Sequence, residues 1–207
     1  MEPNEEKKNE LDTNEITIIG QVETIDETFE NHGKKFQKIL VRVVRLSGQA
    51  DYIPVIYLAD KIALNVFDRI KITGSVRTRN NTSSGKSKLE LYVYAEWLDL
   101  TDEEDINEFT ISGYVCKPVQ YRETPKGVKI SDIMVAYNGT FNHSYYMPTL
   151  TFNKVALAAK DLEVGDKITI SGRFQSRDYN KIVDNVSYQR TAYELAIKSF
   201  TKTAKPE

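Results

Sequence analysis

Basic and aromatic side chains alternate with apolar ones in one segment of the second half of the chain. Arg173, Arg177 and Tyr179 share one parity of this segment. Ile170 and Phe174 share the other parity. Because successive side chains of a β-strand point to opposite faces, a strand here presents two cations and a ring on one face. Such groups bind single-stranded nucleic acid, since cations contact phosphates and rings stack on bases.

A second row of cations lies in the first half of the chain. Its members on one parity are Arg69, Lys71, Arg77 and Arg79, followed beyond a polar loop by Lys86 and Lys88. A row of this kind is also typical of a solvated strand face, which is the alternative interpretation. Its occurrence in both halves of the chain, each time near tyrosines, favours a nucleic-acid contact.

Residues for catalysis or metal binding are sparse. The two histidines, His32 and His143, fall in separate predicted loops, and Cys116 is the single cysteine. These residues do not have the spacing of metal ligands, and the sequence contains no glycine-rich phosphate loop and no nucleophile motif. We therefore expect no enzyme, no metal site and no cofactor.

Charge is unevenly distributed along the 207 residues, although the net charge is −2 and the pI about 5.9. Residues 107–207 carry 14 basic and 10 acidic side chains, whereas residues 1–15 carry six acids and two lysines. A local basic groove is therefore compatible with an acidic chain. No apolar run has the roughly 20 residues of a membrane helix, and the polar N-terminus lacks the apolar stretch of a signal peptide. We expect a cytoplasmic protein that does not bind a membrane.

Four short blocks of sequence recur in the same order, which indicates two copies of one domain of about 90 residues. Residues 14–20 recur as 107–113, residues 52–56 as 146–150, residues 68–79 as 166–177, and residues 90–93 as 194–197. We expect an acidic disordered tail over 1–13, domains over 14–101 and 107–201, an acidic solvated linker over 102–106, and a C-terminal tail over 202–207.

Each copy is predicted to be mostly β-strand, because apolar and polar residues alternate with a period of two. Short helices are expected over 60–66 in the first copy and 153–160 in the second, each between the third and fourth strands. Five strands with a helix at this position predict an OB-fold barrel, so the expected fold is all-β with two tandem five-stranded OB-fold barrels. A five-stranded sandwich is the alternative. Trp97 shares the parity of Leu91 and Val93 and is predicted to lie in the core.

The second copy resembles the bacterial single-stranded-DNA-binding protein family. The resemblance rests on an opening strand at 107–113, an aromatic third strand that ends at Phe152 before a helix, and residues 162–179. In the last of these, a Leu-x-x-Gly turn leads into a strand that reads Gly-Arg-x-Gln-x-Arg-x-Tyr. The resemblance covers residues 107–200 well and residues 14–100 faintly.

The resemblance implies which residues contact bases. Family members stack bases on aromatic residues at positions that match Tyr146, Phe152 and Tyr179, although barrel filling is an alternative for the first two. The first copy keeps Tyr52 but has Leu58 at the position of Phe152. The full set of expected nucleic-acid contacts is Tyr52, Arg77, Arg79, Lys86 and Lys88 in the first copy, and Tyr146, Phe152, Lys154, Arg173, Arg177 and Tyr179 in the second.

The resemblance also implies a function, namely sequence-tolerant binding of single-stranded DNA in replication, recombination or repair, alongside replication or recombination proteins as partners. An OB-fold protein-interaction module of the primosomal accessory kind, with weak nucleic-acid affinity, is the alternative. An OB-fold nuclease or RNA-binding module is a third reading. The family presents four barrels together, so a chain with two barrels predicts a homodimer.

Overall fold

Strand pairing in the computed structural model closes two rings along one chain. The structure describes residues 12–81, 88–139, 144–183 and 186–203. Its strands are β1 Asn14–Asn31, β2 Lys34–Val44, β3 Ala50–Leu58, β4 Arg69–Asn81, β5 Lys88–Leu100, β6 Ile106–Val115, β7 Gln120–Glu123, β8 Lys129–Asn138, β9 Ser144–Phe152, β10 Lys167–Val183 and β11 Val186–Lys202, and its helix is α1 Asn153–Ala159.

The first ring joins β1 to β5. Strand β2 pairs with β1 and β3, strand β4 pairs with β1 and β5, and a short parallel pairing of β3 with β5 completes the circle. Side chains that point into the ring are fully buried, among them Ile18, Val41, Ile53, Ile72 and Val93. The first ring is therefore a closed barrel around an apolar core.

The second ring repeats this order. Strand β8 pairs with β6 and β9, strand β10 pairs with β6 and β11, and β9 pairs with β11 in parallel. Strand β7 is added at the edge of β8. The predicted all-β class and the closed five-stranded, OB-like barrel are confirmed, and the sandwich is excluded because the pairing closes.

The helix prediction is confirmed in the second ring and wrong in the first. Helix α1 begins at Asn153 and buries Ala156 and Ala159. No side-chain hydrogen bond caps its N-terminus. Residues 60–66 form turns and irregular chain instead. The connection from β3 to β4 has ten residues, whereas the connection from β9 to β10, which contains α1, has 14. Among the described residues, no helix is long and apolar enough to cross a membrane.

A β-bulge interrupts β5 beside Gly74. Thr73 lies opposite Trp97, whereas Gly74 lies opposite Ala95. Glu96 is therefore an extra residue on β5. A Cβ atom at Gly74 would collide with the backbone of β5, so only glycine allows the two strands to approach this closely.

The bulge reverses the parity of β5 beyond it. Leu91, Val93 and Ala95 point into the core, but further along it is Leu98 that packs against the core. The side chain of Trp97 points outward and is 47% exposed. The prediction that Trp97 lies in the core is wrong, because counting by twos fails across an inserted residue.

Strand register also corrects the last block of the internal repeat. Val93 lies opposite Val76 in the first barrel, and Leu195 lies opposite Phe174 in the second. Val93 is therefore equivalent to Leu195, whereas the sequence comparison aligned it with Ile197. The block was thus misaligned by two residues. A shift of two leaves each residue on the same face of the strand but gives it different neighbours across the hairpin.

The two barrels share one continuous sheet through an antiparallel pairing of β1 with β6. Ile16 lies opposite Phe109, and these two residues occupy equivalent positions in the repeat. The pairing is therefore symmetric about this point, so a local two-fold axis relates the barrels. This arrangement places the fourth and fifth strands of both barrels on either side of the shared pair.

Two asparagines support the shared pair in the same way. The side-chain amide of Asn14 donates to the carbonyl of Val76 at 2.8 Å and accepts from its N–H at 2.9 Å. The amide of Asn107 makes the equivalent two bonds to Phe174, at 2.6 and 2.9 Å. Each amide satisfies a backbone donor and acceptor where β4 or β10 leaves the shared sheet.

A buried carboxylate fixes one side of the junction. The side chain of Asp51 is fully buried and accepts two hydrogen bonds from the Arg45 guanidinium, at 2.5 and 2.7 Å. Asp51 also accepts a hydrogen bond from the backbone N–H of Ser176 in the other barrel at 3.0 Å. The hydroxyl of Ser176 in turn accepts from the N–H of Tyr52 at 2.9 Å. The barrels are thus joined by specific polar contacts as well as by β1 and β6.

The acidic linker is exposed over residues 102–104 and also makes specific contacts with the first barrel. Asp105 accepts a hydrogen bond from Arg69 at 2.8 Å and another from the N–H of Val44 at 2.5 Å. Glu103 forms an ion pair with Lys71 at 2.7 Å. The linker is therefore folded against the first barrel, and it neutralises two cations that the sequence placed in a row with Arg77.

Candidate nucleic-acid interface

The hairpin of β10 and β11 presents a face that combines cations with rings. Tyr179 lies directly opposite Arg190, and Lys181 lies directly opposite Tyr188. Arg177 precedes Tyr179 by two residues and shares its face. These five side chains are exposed. We refer to Arg177, Tyr179, Lys181, Tyr188 and Arg190 as the basic–aromatic ladder.

Each tyrosine of the ladder has a guanidinium beside it. The Cζ atom of Arg177 lies 5.8 Å from the centre of the Tyr179 ring, and that of Arg190 lies 5.9 Å from the centre of the Tyr188 ring. These distances are within the range of a cation–π contact. Since Tyr179 and Tyr188 remain 39% and 45% exposed, a ligand can reach rings and cations from the same side.

The other face of the hairpin end has a different character. Thr191 donates a hydrogen bond to Asp178 across this face at 2.7 Å. Between these two residues and the tip, the face carries no basic or aromatic side chain among the described residues. Its members are Asp178, Asn180, Ile182, Ser187, Gln189 and Thr191. The concentration of cations and rings on one face is therefore specific to the ladder side.

Strand β9 directs Tyr146 and Phe152 away from the barrel core. Met147, Thr149 and Thr151 point inward and are buried, and the two threonine hydroxyls donate to backbone carbonyls at 2.9 and 3.3 Å. Tyr146 lies on the opposite parity and is 52% exposed. Phe152 has the same parity as Tyr146 and is half-buried at the start of α1. Base stacking by these two rings stays a prediction.

Arg173 is separated from the ladder. It is half-buried near the barrel junction, and its Nε atom is buried with no hydrogen-bond partner in the described part of the chain. Burial first, and then the nearby Arg45 guanidinium, lower the pKa of Arg173, while Asp51 opposes this effect. Lys154 is exposed on the first turn of α1. Phosphate contacts by either residue stay predictions.

The first barrel engages its hairpin cations internally. The Cζ atom of Arg77 lies 3.8 Å from the centre of the Tyr94 ring. Arg79 forms an ion pair with Glu90 at 2.8 Å. Burial tends to raise the pKa of Glu90, but hydrogen bonds from Asn81 and Arg79 outweigh it, so this pKa lies below its ordinary value. Arg177 of the ladder has a comparable ion pair with Glu194 at 3.2 Å. The two hairpins therefore differ mainly at Arg77, which is half-buried against Tyr94, whereas Arg177 and Arg190 are exposed.

The other expected contacts of the first barrel lie in different settings. Lys88 is exposed opposite Asn81. Lys86 lies outside the described residues. Tyr52 is half-buried, and its N–H donates to Ser176 at the junction. Stacking by Tyr52 and phosphate binding by Lys88 stay predictions.

Sequence reasoning missed three of the five ladder residues, namely Lys181, Tyr188 and Arg190. Lys181 continues the parity of Tyr179 and could have been found by counting two residues further. Tyr188 and Arg190 are on the returning strand, so their face depends on the register of β11 against β10. The recurring blocks of sequence end at 177 and resume at 194, so they gave no signal for these two residues.

Metal-binding groups do not cluster in the described residues. No set of three or more histidine, cysteine, aspartate and glutamate side chains there could hold a metal ion. His32 lies in the turn between β1 and β2, and His143 is outside the described residues. Cys116 is half-buried, and burial raises the pKa of its thiol.

Closed five-stranded barrels joined in this way define a fold that is found among single-stranded DNA binding proteins. The structure is similar to the wild-type protein of that name from Thermus aquaticus, with 18% sequence identity, a TM-score of 0.76, and coverage of 95% of this chain and 96% of that chain. A deletion mutant of the same protein matches with equal identity and TM-score and 97% coverage of its chain.

The model of the single-strand binding protein family matches residues 106–202, which comprise the linker end and the second barrel. The dimeric N-terminal domain of PriB from Thermoanaerobacter tencongensis is 31% identical over 44% of this chain and 98% of that chain, with a TM-score of 0.38. No curated protein matches the sequence significantly.

Proposed function

We propose that this protein binds single-stranded DNA with little dependence on base sequence, and that it does so without catalysis. The basic–aromatic ladder carries the proposal, because cations and exposed rings on one face are what a single strand requires. The match of residues 106–202 to the single-strand binding protein family supports it. The similarity in fold to the Thermus aquaticus protein is consistent with it.

In this proposal the ladder divides the work by chemistry. Arg177, Lys181 and Arg190 contact phosphates, and Tyr179 and Tyr188 stack on bases. Stacking tolerates any sequence because every base has a π-face. Contacts to phosphates carry no sequence information either, because every nucleotide has the same phosphate group.

The remaining residues of the second barrel extend this surface. Tyr146 and Phe152 supply further rings along β9, and Lys154 and Arg173 supply further cations. The first barrel makes a smaller contribution through Tyr52, Arg77, Arg79, Lys86 and Lys88, because Arg77 is half-buried against Tyr94, whereas Arg177 and Arg190 of the ladder are exposed. The two barrels, both of the OB-fold kind in this proposal, are thus unequal in affinity.

We also propose that two chains associate into a homodimer with four barrels. Strands β5, β4, β1, β6, β10 and β11 form a continuous sheet that runs through both barrels. The outward side chain of Trp97 on this sheet is half-exposed and apolar, which supports a contact between chains. A symmetric pair is the commonest closed assembly.

The cellular role that follows is in DNA replication, recombination or repair in the cytoplasm, where proteins of those processes are the expected partners. A protein-interaction module with weak affinity for nucleic acid is the second candidate. The half-buried position of Arg77 against Tyr94 favours that role for the first barrel. The two candidates differ in how strongly the intact chain binds DNA.

The test is a titration of the full chain with oligo-dT at two salt concentrations, in which tyrosine fluorescence reports binding. The function predicts tight binding that weakens steeply with salt and quenches fluorescence. A double variant, Tyr179→Ala with Tyr188→Ala, should lose about 2–6 kcal/mol of binding free energy, since each stacked base contributes about 1–3 kcal/mol.

The matched control changes the opposite face of the same hairpin. Asn180 and Gln189 lie directly opposite each other there, so Asn180→Ala with Gln189→Ala alters the hairpin to a similar extent without touching the ladder. This control should bind oligo-dT like the unchanged chain. Weak binding by the unchanged chain, or equal losses in both double variants, would contradict the proposed function.

A further inference from the structure

A pocket of about 220 Å³ opens on the outer surface of the second barrel, and its lining residue Glu194 forms an ion pair with Arg177 of the ladder. Strand β8 contributes Asp132 and Met134, and β9 contributes Pro148 and Leu150, which lie opposite them in the sheet. Pro148 has the same parity as Tyr146, two residues away. The pocket is therefore on the same side of β9 as the ring proposed to stack on bases.

The wall and rim of the pocket have opposite chemistries. Met134, Pro148 and Leu150 form an apolar surface that suits the face of a flat ring. The polar groups around it are two carboxylates, an amide and an ammonium. They belong to Asp132, Glu194, Gln120 and Lys117.

Carboxylates on a surface that binds a polyanion need an explanation, because they repel phosphates. Each of these two is neutralised by an arginine: Arg122 lies 3.0 Å from Asp132, and Arg177 of the ladder lies 3.2 Å from Glu194. A carboxylate has about four acceptor sites, so each keeps capacity for a further donor. The pocket therefore offers acceptors to the edge of a base without excess negative charge.

We propose that this pocket takes one cytosine of the bound strand, which rests on the proposed function. The exocyclic amino group of cytosine donates to Asp132 and Glu194, and its carbonyl oxygen accepts from Lys117. Thymine presents a carbonyl where cytosine presents the amino group, so it would set oxygen against oxygen. The result is one base-selective position within a site that otherwise tolerates any sequence.

The amino donor is recognised by the same chemistry that proteins use in duplex DNA, where aspartate and glutamate accept from N4 of cytosine. A pocket of this volume admits either a pyrimidine or a purine, so size does not choose between them. Adenine carries an amino group as well but has no carbonyl oxygen for Lys117, and it therefore serves as the probe of that contact.

The experiment compares affinities of the full chain for oligo-dT, oligo-dC and oligo-dA of one length. Homopolymers differ in their own stacking, so the readout is the ratio of dC to dT affinity in a variant relative to that ratio in the unchanged chain. Asp132→Ala releases Arg122 toward phosphates, but that change affects all three strands and cancels in the ratio.

Asp132→Ala should lower the dC-to-dT ratio about 5- to 10-fold, as expected for the loss of one base-edge contact. Met134→Trp, which fills the pocket without altering charge, should lower the ratio similarly. The control Asp178→Ala removes a carboxylate from the far face of the hairpin and should leave the ratio unchanged.

A ratio that stays constant in both pocket variants, while oligo-dT still binds tightly, overturns the cytosine pocket and leaves the proposed function intact. If Asp132→Ala lowers the affinity for oligo-dA as much as the affinity for oligo-dC, the choice of cytosine is overturned. Failure of the unchanged chain to bind any of the three strands overturns the proposed function itself.

Discussion

Asp12 and Asp105 make the same ion pair in opposite barrels. Asp12 precedes the first barrel but lies 3.3 Å from Lys167 of the second, and Asp105 precedes the second barrel but lies 2.8 Å from Arg69 of the first. Their side chains are only 6% and 15% exposed. Each barrel is therefore held by the segment that leads into the other, and for the second barrel that segment includes Asp12.

Because of these crossed contacts, the DNA affinities of the two barrels cannot be compared by cutting the chain into halves. Isolated halves would lose the crossed ion pairs, the β1–β6 pairing and the bond from Ser176 to Asp51. Weak DNA binding by an isolated half would then reflect damage to its fold as well as its own affinity for DNA. The contributions of the two barrels are better separated by substitutions in the full chain.

Phosphate and base contacts of the ladder should separate by salt dependence. Lys181→Ala should weaken oligo-dT binding and reduce the slope of log affinity against log salt by about 0.7, because one phosphate contact is lost. Tyr179→Ala should cost about 1–3 kcal/mol of binding and leave the slope unchanged. Titrations over a salt series measure both, and a changed slope for the tyrosine variant would refute its assignment to bases.

The barrels should contribute unequally to affinity. Replacing Arg177 and Arg190 with alanine should weaken oligo-dT binding more than replacing Arg77 and Arg79, although each double variant removes two cations. The reason is that Arg77 is half-buried, 3.8 Å from the centre of the Tyr94 ring, whereas Arg177 and Arg190 are both exposed. Matched titrations at one salt concentration test this, and equal losses would show that the first barrel binds as strongly.

The two readings of Phe152 differ in what its loss affects. If the ring stacks on a base, Phe152→Ala should cost about 1–3 kcal/mol of binding and little stability. If it fills the barrel, the same change should cost about 3–5 kcal/mol of folding free energy. A thermal melt beside an oligo-dT titration decides, with Tyr146→Ala as the exposed reference. Since Phe152 is half-buried, we expect the loss of binding to be the larger effect.

Removing the carboxylate of Asp51 should destabilise the whole chain. Asp51→Asn leaves the Arg45 guanidinium, which is 20% exposed, without its charged partner, and hydrogen bonds to a charged group contribute about 1.5–3 kcal/mol. Asp132→Asn, at an exposed pair with Arg122, should cost less than about 1 kcal/mol. Urea unfolding measures both, and similar small effects would mean that the junction is not held by this pair.

Association of two chains should be visible in both mass and fluorescence. Light scattering should give twice 23.7 kDa at micromolar concentration. Trp97 is the single tryptophan, so its emission should shift to the red on dilution if the ring is covered in the dimer. Trp97→Ser should favour the single chain, and a mass near 23.7 kDa for the unchanged chain would rule the dimer out.

Much of the fold follows from the sequence. The period of two along residues such as Ile16 and Ile18 depends only on which face of a strand each side chain occupies, so it predicts strands and core without knowledge of their partners. The repeat likewise predicts two copies of one domain. The bounds of α1 follow from an alanine-rich segment between two such strands.

Only the tertiary structure decided which side chains face one another. The bulge beside Gly74 turned Trp97 outward, and the register of β11 brought Tyr188 and Arg190 to the side of Tyr179. Both results depend on contacts between strands that local patterns do not encode. Asp51 and Ser176, which are 125 residues apart, meet for the same reason. Alternation assigns a face to each residue, but the partner across the sheet is set by packing of the whole chain.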